Sequence, residues 1–145
     1  MSNPGPAITT SIHPQNLASN LVYRVIACAK GVSVGALGDT AFKVIDTAYY
    51  VPATVVITNA STDVHSVALG VYTGVNGASG SGAAVLSTAA LTGNTSNAYA
   101  TISAATSPSA TLTAQTLYVN QTTATAAGTV DVYVYGYDLS GPQTN

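Results

Sequence analysis

Short runs of alternating hydrophobic and polar residues recur along most of the chain. In residues 53–58, Ala53, Val55 and Ile57 occupy every second position, and residues 130–135 alternate valine with aspartate or tyrosine. A period of two predicts β-strands. Further runs occur at 32–34, 42–45, 67–72, 83–87, 97–102 and 116–120.

Clusters of Gly, Asn, Asp, Ser and Pro separate these runs and predict turns, at 38–39, 59–63, 74–82, 92–96, 107–109 and 125–128. The chain is rich in Val, Thr and Tyr and has no Glu, which favours strands over helices. We therefore predict an all-β, single-domain fold of about eight short antiparallel strands. A β-sandwich, a jelly roll and a small barrel all fit this spacing.

The N-terminal residues do not follow this rhythm. Three of the six prolines fall in the first twenty residues, and residues 21–26 fit either a strand or one or two helical turns. We predict an N-terminal arm and anchor over residues 1–30, with 1–20 extended and 21–30 holding it to a β-sandwich domain at 31–145. A terminus without fixed structure is the alternative.

Charge is scarce, and this excludes several classes of protein. Only 6% of the residues are charged, against about 25% in an ordinary domain. Three basic residues cannot hold a phosphate backbone, so we expect no nucleic-acid partner. No apolar run approaches the ~20 residues of a membrane helix, so we expect no membrane partner. We also expect that the protein is made and used without export by a signal peptide. A single cysteine excludes a disulfide scaffold.

No residue pattern indicates catalysis. His65 follows Asp63 by two residues, and His13 precedes a proline, but no Gly-x-Ser-x-Gly motif accompanies them. Asp131 lies between valines and faces either a partner or solvent. The Gly-rich stretch 74–82 lacks the lysine of a phosphate loop and predicts a flexible hairpin loop. We therefore predict no enzyme activity, no catalytic residues, no cofactor and no metal.

Tyrosines supply the candidate interface. Tyr133, Tyr135 and Tyr137 share one face of a predicted strand whose other face is valine. If the valines pack inward, the tyrosines point outward, where tyrosine is typical of interfaces. The alternative is that the stripe is internal, under the arm or a loop. Further interface candidates are three other tyrosines and two basic residues, namely Tyr49, Tyr50, Tyr72, Arg24 and Lys30.

The low charge also bears on assembly. Lysine and glutamate normally protect sheet edges against association, and this chain has few of the first and none of the second. Low net charge itself promotes association. We expect self-association, as a dimer or a trimer.

Several segments together resemble small β-rich proteins encoded near the capsid gene of tailed bacteriophages, the head decoration or cement proteins. They are residues 31–40 (GVSVGALGDT), 57–61 (ITNAS), 70–73 (GVYT), 117–123 (LYVNQTT) and 131–136 (DVYVYG). The resemblance implies a jelly-roll-like β-sandwich on the outer surface of the virion capsid, made in the host cytoplasm. It also implies the major capsid protein as partner, with neighbouring capsid subunits clamped together and no catalytic residues.

Two functions follow as hypotheses. In the first, the chain is a structural virion protein, a capsid cement, whose arm lies on a neighbouring subunit with Arg24 and Lys30 near its base. In the second, it is a carbohydrate-binding module of a phage fibre or adhesin. There the stripe of Tyr133, Tyr135 and Tyr137 would stack on sugar rings, and Asp131 would accept hydrogen bonds from hydroxyls.

Overall fold

The structure, a computed structural model, describes residues 22–124 and 127–140. It is an antiparallel β-sandwich, which confirms the all-β prediction. The strands are β1 (Val22–Ser33), β2 (Gly38–Lys43), β3 (Tyr50–Thr58), β4 (Ala68–Tyr72), β5 (Ala84–Ala90), β6 (Thr101–Ala104), β7 (Thr116–Thr123) and β8 (Thr129–Asp138). A single 3₁₀ turn, Gly77–Ser79, interrupts the β4–β5 connection.

The strands form two four-stranded sheets with jelly-roll connectivity. The first sheet has the order β1-β8-β3-β6 and the second has the order β2-β7-β4-β5. Every sequential connection except the β4–β5 hairpin passes from one sheet to the other. This arrangement of eight strands is the double-sheet jelly roll, so of the three architectures that fit the spacing, the jelly roll is observed.

The core lies between the two sheets and follows the alternation along each strand. β3 contributes Val55 and Ile57, β7 contributes Leu117, and β8 contributes Val132, all fully or almost fully buried. Neighbouring side chains on the same strands point out of the sandwich, because successive residues of a strand face opposite sides. The alternation in 53–58 and 130–135 therefore marks the core face correctly.

Three strand boundaries differ from the sequence prediction. β1 includes the expected anchor residues from Val22 onward, in a strand whose pairing with β8 shifts register twice. β2 begins at Gly38, where a turn was predicted. Its second residue, Asp39, lies opposite Asn120 of β7, so the strand extends over the predicted turn. β6 begins only at Thr101, and the residues before it form turns. Residues 1–21, which include the predicted extended arm, lie outside the described part of the chain.

Candidate interaction surface

The outward side of β8 carries the tyrosine stripe. Val130, Val132 and Val134 point into the core and are fully buried, so the alternate residues must face outward. Tyr133 and Tyr135 are half-buried, and Tyr137 keeps 40% of its surface exposed. Within the described residues, the stripe therefore lies on the outer side of the first sheet and not in the core.

Neighbouring strands extend the stripe into a continuous surface. In antiparallel pairs, directly opposite residues point to the same side of the sheet. The strand register places residues of β1 and β3 directly opposite the β8 tyrosines. It also places Ile102 of β6 opposite Val56 of β3. We call this surface the tyrosine face; it consists of Tyr23, Val25, Cys28, Val56, Ile102, Tyr133, Tyr135 and Tyr137.

Three of the aromatic rings on the tyrosine face contact one another. The Tyr23 ring stacks on Tyr135, with ring centroids 6.1 Å apart and an interplanar angle of 15°. It also meets Tyr137 edge-to-face at 5.3 Å and 65°. The Tyr23 hydroxyl donates a hydrogen bond to Thr54 Oγ1 at 3.2 Å. These contacts hold the rings in place on the surface, although Tyr23 itself is 49% exposed.

Asp131 continues the tyrosine row on β8, but its carboxylate is already occupied. Only 8% of the residue is exposed. Oδ1 accepts the Gly31 N–H at 2.7 Å, and Oδ2 accepts Asn59 Nδ2 at 3.1 Å. Gly31 has φ of +64° and lies in the second register shift of β1, a conformation that favours glycine. Asp131 therefore fixes a β-bulge, and the expectation that it receives sugar hydroxyls or faces solvent is wrong.

Arg24 lies at one end of the sandwich and binds within the chain. Its Nη2 contacts Asp138 Oδ2 at 2.9 Å and donates to the carbonyls of Ile45 at 2.7 Å and Asp46 at 2.9 Å. These bonds tie β1 and β8 to the segment between β2 and β3. Of the two basic interface candidates, Arg24 therefore has its guanidinium bonded within the chain, whereas Lys30 is exposed.

Hydrogen bonds around Asp138 make its carboxylate unusually acidic. Burial alone would raise the pKa of Asp138. The Thr47 hydroxyl at 2.5 Å, the Ser140 backbone N–H at 3.0 Å and Arg24 together outweigh burial and lower the pKa to about 2. The Ser140 hydroxyl oxygen also accepts the Ala48 N–H at 2.7 Å. This network joins the end of β8 to the turn before β3, so its role here is structural.

Two of the predicted interface tyrosines are buried. Tyr50 lies in the core, where it donates its hydroxyl to the Ala114 carbonyl at 2.8 Å, and burial raises its pKa to about 12. Tyr72 points to the outer side of the second sheet, as its alternation with the buried Val71 predicts, but it is almost fully covered, with its hydroxyl 2.9 Å from Thr88 Oγ1. Both were expected to be exposed at an interface, and that expectation is wrong because each hydroxyl has a protein partner that lets the ring pack. Tyr49 is exposed, as expected.

The Asp63–His65 pair forms a local turn. Asp63 Oδ1 accepts the His65 backbone N–H at 3.1 Å and lies 2.7 Å from His65 Nδ1. The hydrogen bond to the His65 side chain lowers the pKa of Asp63. Both side chains are more than half exposed. The arrangement is that of an aspartate stabilising its own turn, which is the interpretation that the sequence favours.

Other candidates from the sequence have structural positions. Residues 74–82 connect β4 to β5 as a hairpin, as predicted. His13 lies outside the described residues. Within residues 22–124 and 127–140, no three His, Cys, Asp or Glu side chains group as metal ligands would. In the same part of the chain, no helix has the length and hydrophobicity to cross a membrane.

Sequence reasoning missed Tyr23 as a member of this surface. Tyr23 is 110 or more residues from the β8 tyrosines in sequence and joins them only because β1 pairs with β8. Nothing in the linear pattern distinguishes this pairing from others. Comparison with known proteins adds no further residue, since no family model, no curated protein and no solved structure matches the chain.

Proposed function

We propose that this protein is a structural virion protein that decorates the outer surface of a bacteriophage head and stabilises contacts between major capsid subunits. The observation that carries the proposal is the tyrosine face, a broad, aromatic and nearly uncharged surface on a jelly-roll sandwich. Such a surface suits a protein that functions in an assembly, because large exposed apolar patches on a protein mark sites where another molecule binds. The resemblance of the sequence to head decoration proteins supports a phage head as that assembly.

The low charge of the chain supports the same role. Contacts that depend on apolar burial and neutral hydrogen bonds are only weakly screened by salt. Many copies on one shell also need only a modest interface each, since neighbouring contacts act together. The role is structural rather than catalytic, and it requires no cofactor.

The direct test is binding to expanded, undecorated heads assembled from the major capsid protein of the proposed source phage. We expect saturable binding of the full-length protein, measured by the mass ratio in sedimented heads. Occupancy should change by less than about twofold between 50 and 500 mM salt, since few charges contribute. Decorated heads should also rupture at a higher temperature than bare heads. Failure to bind competent heads at micromolar concentration contradicts the proposal.

The N-terminal segment has its own test. Residues 1–20 carry no Asp, Glu, Lys or Arg, and we propose that they lie on a neighbouring capsid subunit. Deleting them should lower head occupancy while leaving the melting temperature of the sandwich nearly unchanged. Full occupancy by the truncated protein would show that the segment is not needed for binding.

Carbohydrate binding is a second candidate function. The observation in its favour is the adjacent pair of exposed rings, Tyr23 and Tyr137, which could stack on a sugar. The occupied carboxylate of Asp131 weighs against it, because the hydrogen-bonding partner assumed for the sugar is not free. A glycan array screened at high protein concentration tests this function, and an absence of binding removes it.

A further inference from the structure

Two copies of the tyrosine face are chemically complementary to each other. Its tyrosine hydroxyls can each donate and accept a hydrogen bond, so the face can satisfy a copy of itself across a two-fold axis. Tyr133, Tyr135 and Tyr137 lie on the outer side of the first sheet, where a second copy can contact their rings.

Charge on the face does not oppose self-association. Asp131 is buried and hydrogen-bonded to Gly31 and Asn59. Lys30 lies at the second bulge of β1, beyond Cys28, so it borders the face rather than occupying its centre. Two copies can thus approach without placing exposed like charges opposite each other, which would otherwise cost about a hundredfold or more in affinity.

The area of the face is sufficient for a specific dimer. β1, β3 and β8 have 12, 9 and 10 residues. With about 3.3 Å per residue and about 4.8 Å between strands, three such strands present about 500 Å² per copy. Two copies would bury about 1,000 Å² in total, which is near the lower limit for a specific interface.

We propose that the tyrosine face is a self-association surface, on which the first sheet of one copy packs against the first sheet of a second copy. The inference does not require capsid binding. It names the surface of the expected self-association and leaves the second sheet, the loops and the N-terminal segment free for other partners. Pairing of two identical faces closes a dimer and cannot by itself produce a trimer.

The test uses the full-length protein and a matched pair of variants. Ile102 is 69% exposed on the tyrosine face, and Leu37 is 66% exposed in the β1–β2 loop, away from it. Sedimentation equilibrium should give a dimer for the unmodified protein. Ile102→Lys should weaken the dimer by at least about tenfold, because the two-fold axis brings two new charges to one interface. Leu37→Lys should change the dissociation constant by less than about twofold.

Cys28 provides an independent measurement. It is the only cysteine of the chain and is half-buried on the tyrosine face, opposite Tyr133. Its reaction with a thiol reagent should slow as protein concentration rises and the dimer forms. If Ile102→Lys fails to fold, judged by circular dichroism, Tyr137→Arg replaces it as the disrupting variant.

Four results overturn the proposal. They are a monomer throughout the accessible concentration range, a trimer, equal weakening by the Ile102 and Leu37 variants, and Cys28 reactivity that does not depend on concentration while oligomers form. A dimer that fails to bind phage heads would contradict the proposed function alone. A monomer whose Cys28 becomes protected only on heads would contradict the dimer and assign the face to the capsid.

Discussion

The two outer faces of the sandwich use the same residue types in different ways. On the second sheet, Tyr72 lies across Gly70 with its hydroxyl bound by Thr88, and it is almost fully buried. On the first sheet, Tyr137 has a ring neighbour but remains 40% exposed. The difference teaches that a tyrosine becomes part of the fold when its neighbours supply both space for the ring and a partner for the hydroxyl. Without both, it remains available to another molecule.

Aspartates show the same contrast. Asp39 on the second sheet accepts the Asn76 N–H and Asn120 Nδ2, both at 2.8 Å, and it is exposed. Asp131 on the first sheet accepts one backbone N–H and one asparagine amide in the same manner, but it is buried. The aspartate of the second face therefore remains open to solvent, whereas that of the first face is buried and has hydrogen-bond donors on both carboxylate oxygens. The following predictions test this contrast.

Removing the space beneath Tyr72 should have the largest effect. A Cβ at Gly70 would lie 2.6 Å from Tyr72 Cε2 and 2.8 Å from the Leu86 carbonyl oxygen. Gly70→Ala should therefore lower the free energy of unfolding by about 2–3 kcal/mol, measured by urea denaturation. Gly93→Ala is the control, because its nearest contact is 3.3 Å. Equal losses in the two variants would mean that Tyr72 does not depend on this space.

Removing the buried carboxylate should come next. Asp131→Ala leaves the Gly31 N–H and the Asn59 amide without their acceptor and should cost about 2 kcal/mol in chemical denaturation. Asp39→Ala removes an equivalent pair of bonds at an exposed position, where water replaces them, and should cost less than about 1 kcal/mol. If the two variants lose the same stability, burial does not distinguish the faces.

Acid should weaken the end of the first sheet. The pKa of Asp138 is about 2 in the folded protein and about 4 in an unfolded chain. The unfolded chain thus binds the proton first, so the stabilisation is complete above pH 4 and is lost as pH falls toward 2. We expect a loss of about 1–2 kcal/mol, followed by thermal melting at several pH values. Asp138→Asn should flatten most of this dependence, whereas Asp63→Asn, which removes a lowered pKa at an exposed turn, should flatten it less.

Single hydroxyls should give the smallest effect. Tyr72→Phe removes the bonds to the Thr88 hydroxyl at 2.9 Å and backbone N–H at 3.2 Å and should cost about 1 kcal/mol. Tyr137→Phe should leave monomer stability within about 0.5 kcal/mol, because its hydroxyl is on the surface. Thermal melting of dilute protein measures both. A larger loss for the Tyr137 variant would reverse the assignment of the two faces.

Regular alternation made much of the sandwich predictable. The valines of β8 and residues Val55 and Ile57 of β3 follow a period of two, so the core faces of these segments can be derived from residues 53–58 and 130–135, although β3 has a register shift at Ala53. β1 is less clear because its two bulges break the alternation, and one of them depends on Asp131, about a hundred residues away. The start of β2 at Gly38 could not be predicted for a similar reason, because the hydrogen bonds to Asp39 come from Asn76 and Asn120, which are distant in sequence.

The candidate surface was predictable only in part. Its β8 row follows from valine–tyrosine alternation, but Tyr23 joins it through strand pairing across nearly the whole chain. The sequence around Tyr50, close to Pro52, predicts an exposed ring. In the structure the Tyr50 hydroxyl donates a hydrogen bond to the Ala114 carbonyl, and the ring is buried. Whether an aromatic ring is covered depends on such long-range contacts, which local patterns do not contain.

The position of β8 within the first sheet has a consequence for synthesis. β8 is the last of the described strands to leave the ribosome, yet it lies between β1 and β3 and pairs with both. A nascent chain that lacks it cannot join these strands into one sheet, however long translation pauses. Folding must then wait for contacts that span the chain, which favours slow kinetics. Stop codons shortly before residue 129 should accordingly yield insoluble product rather than a smaller folded sandwich.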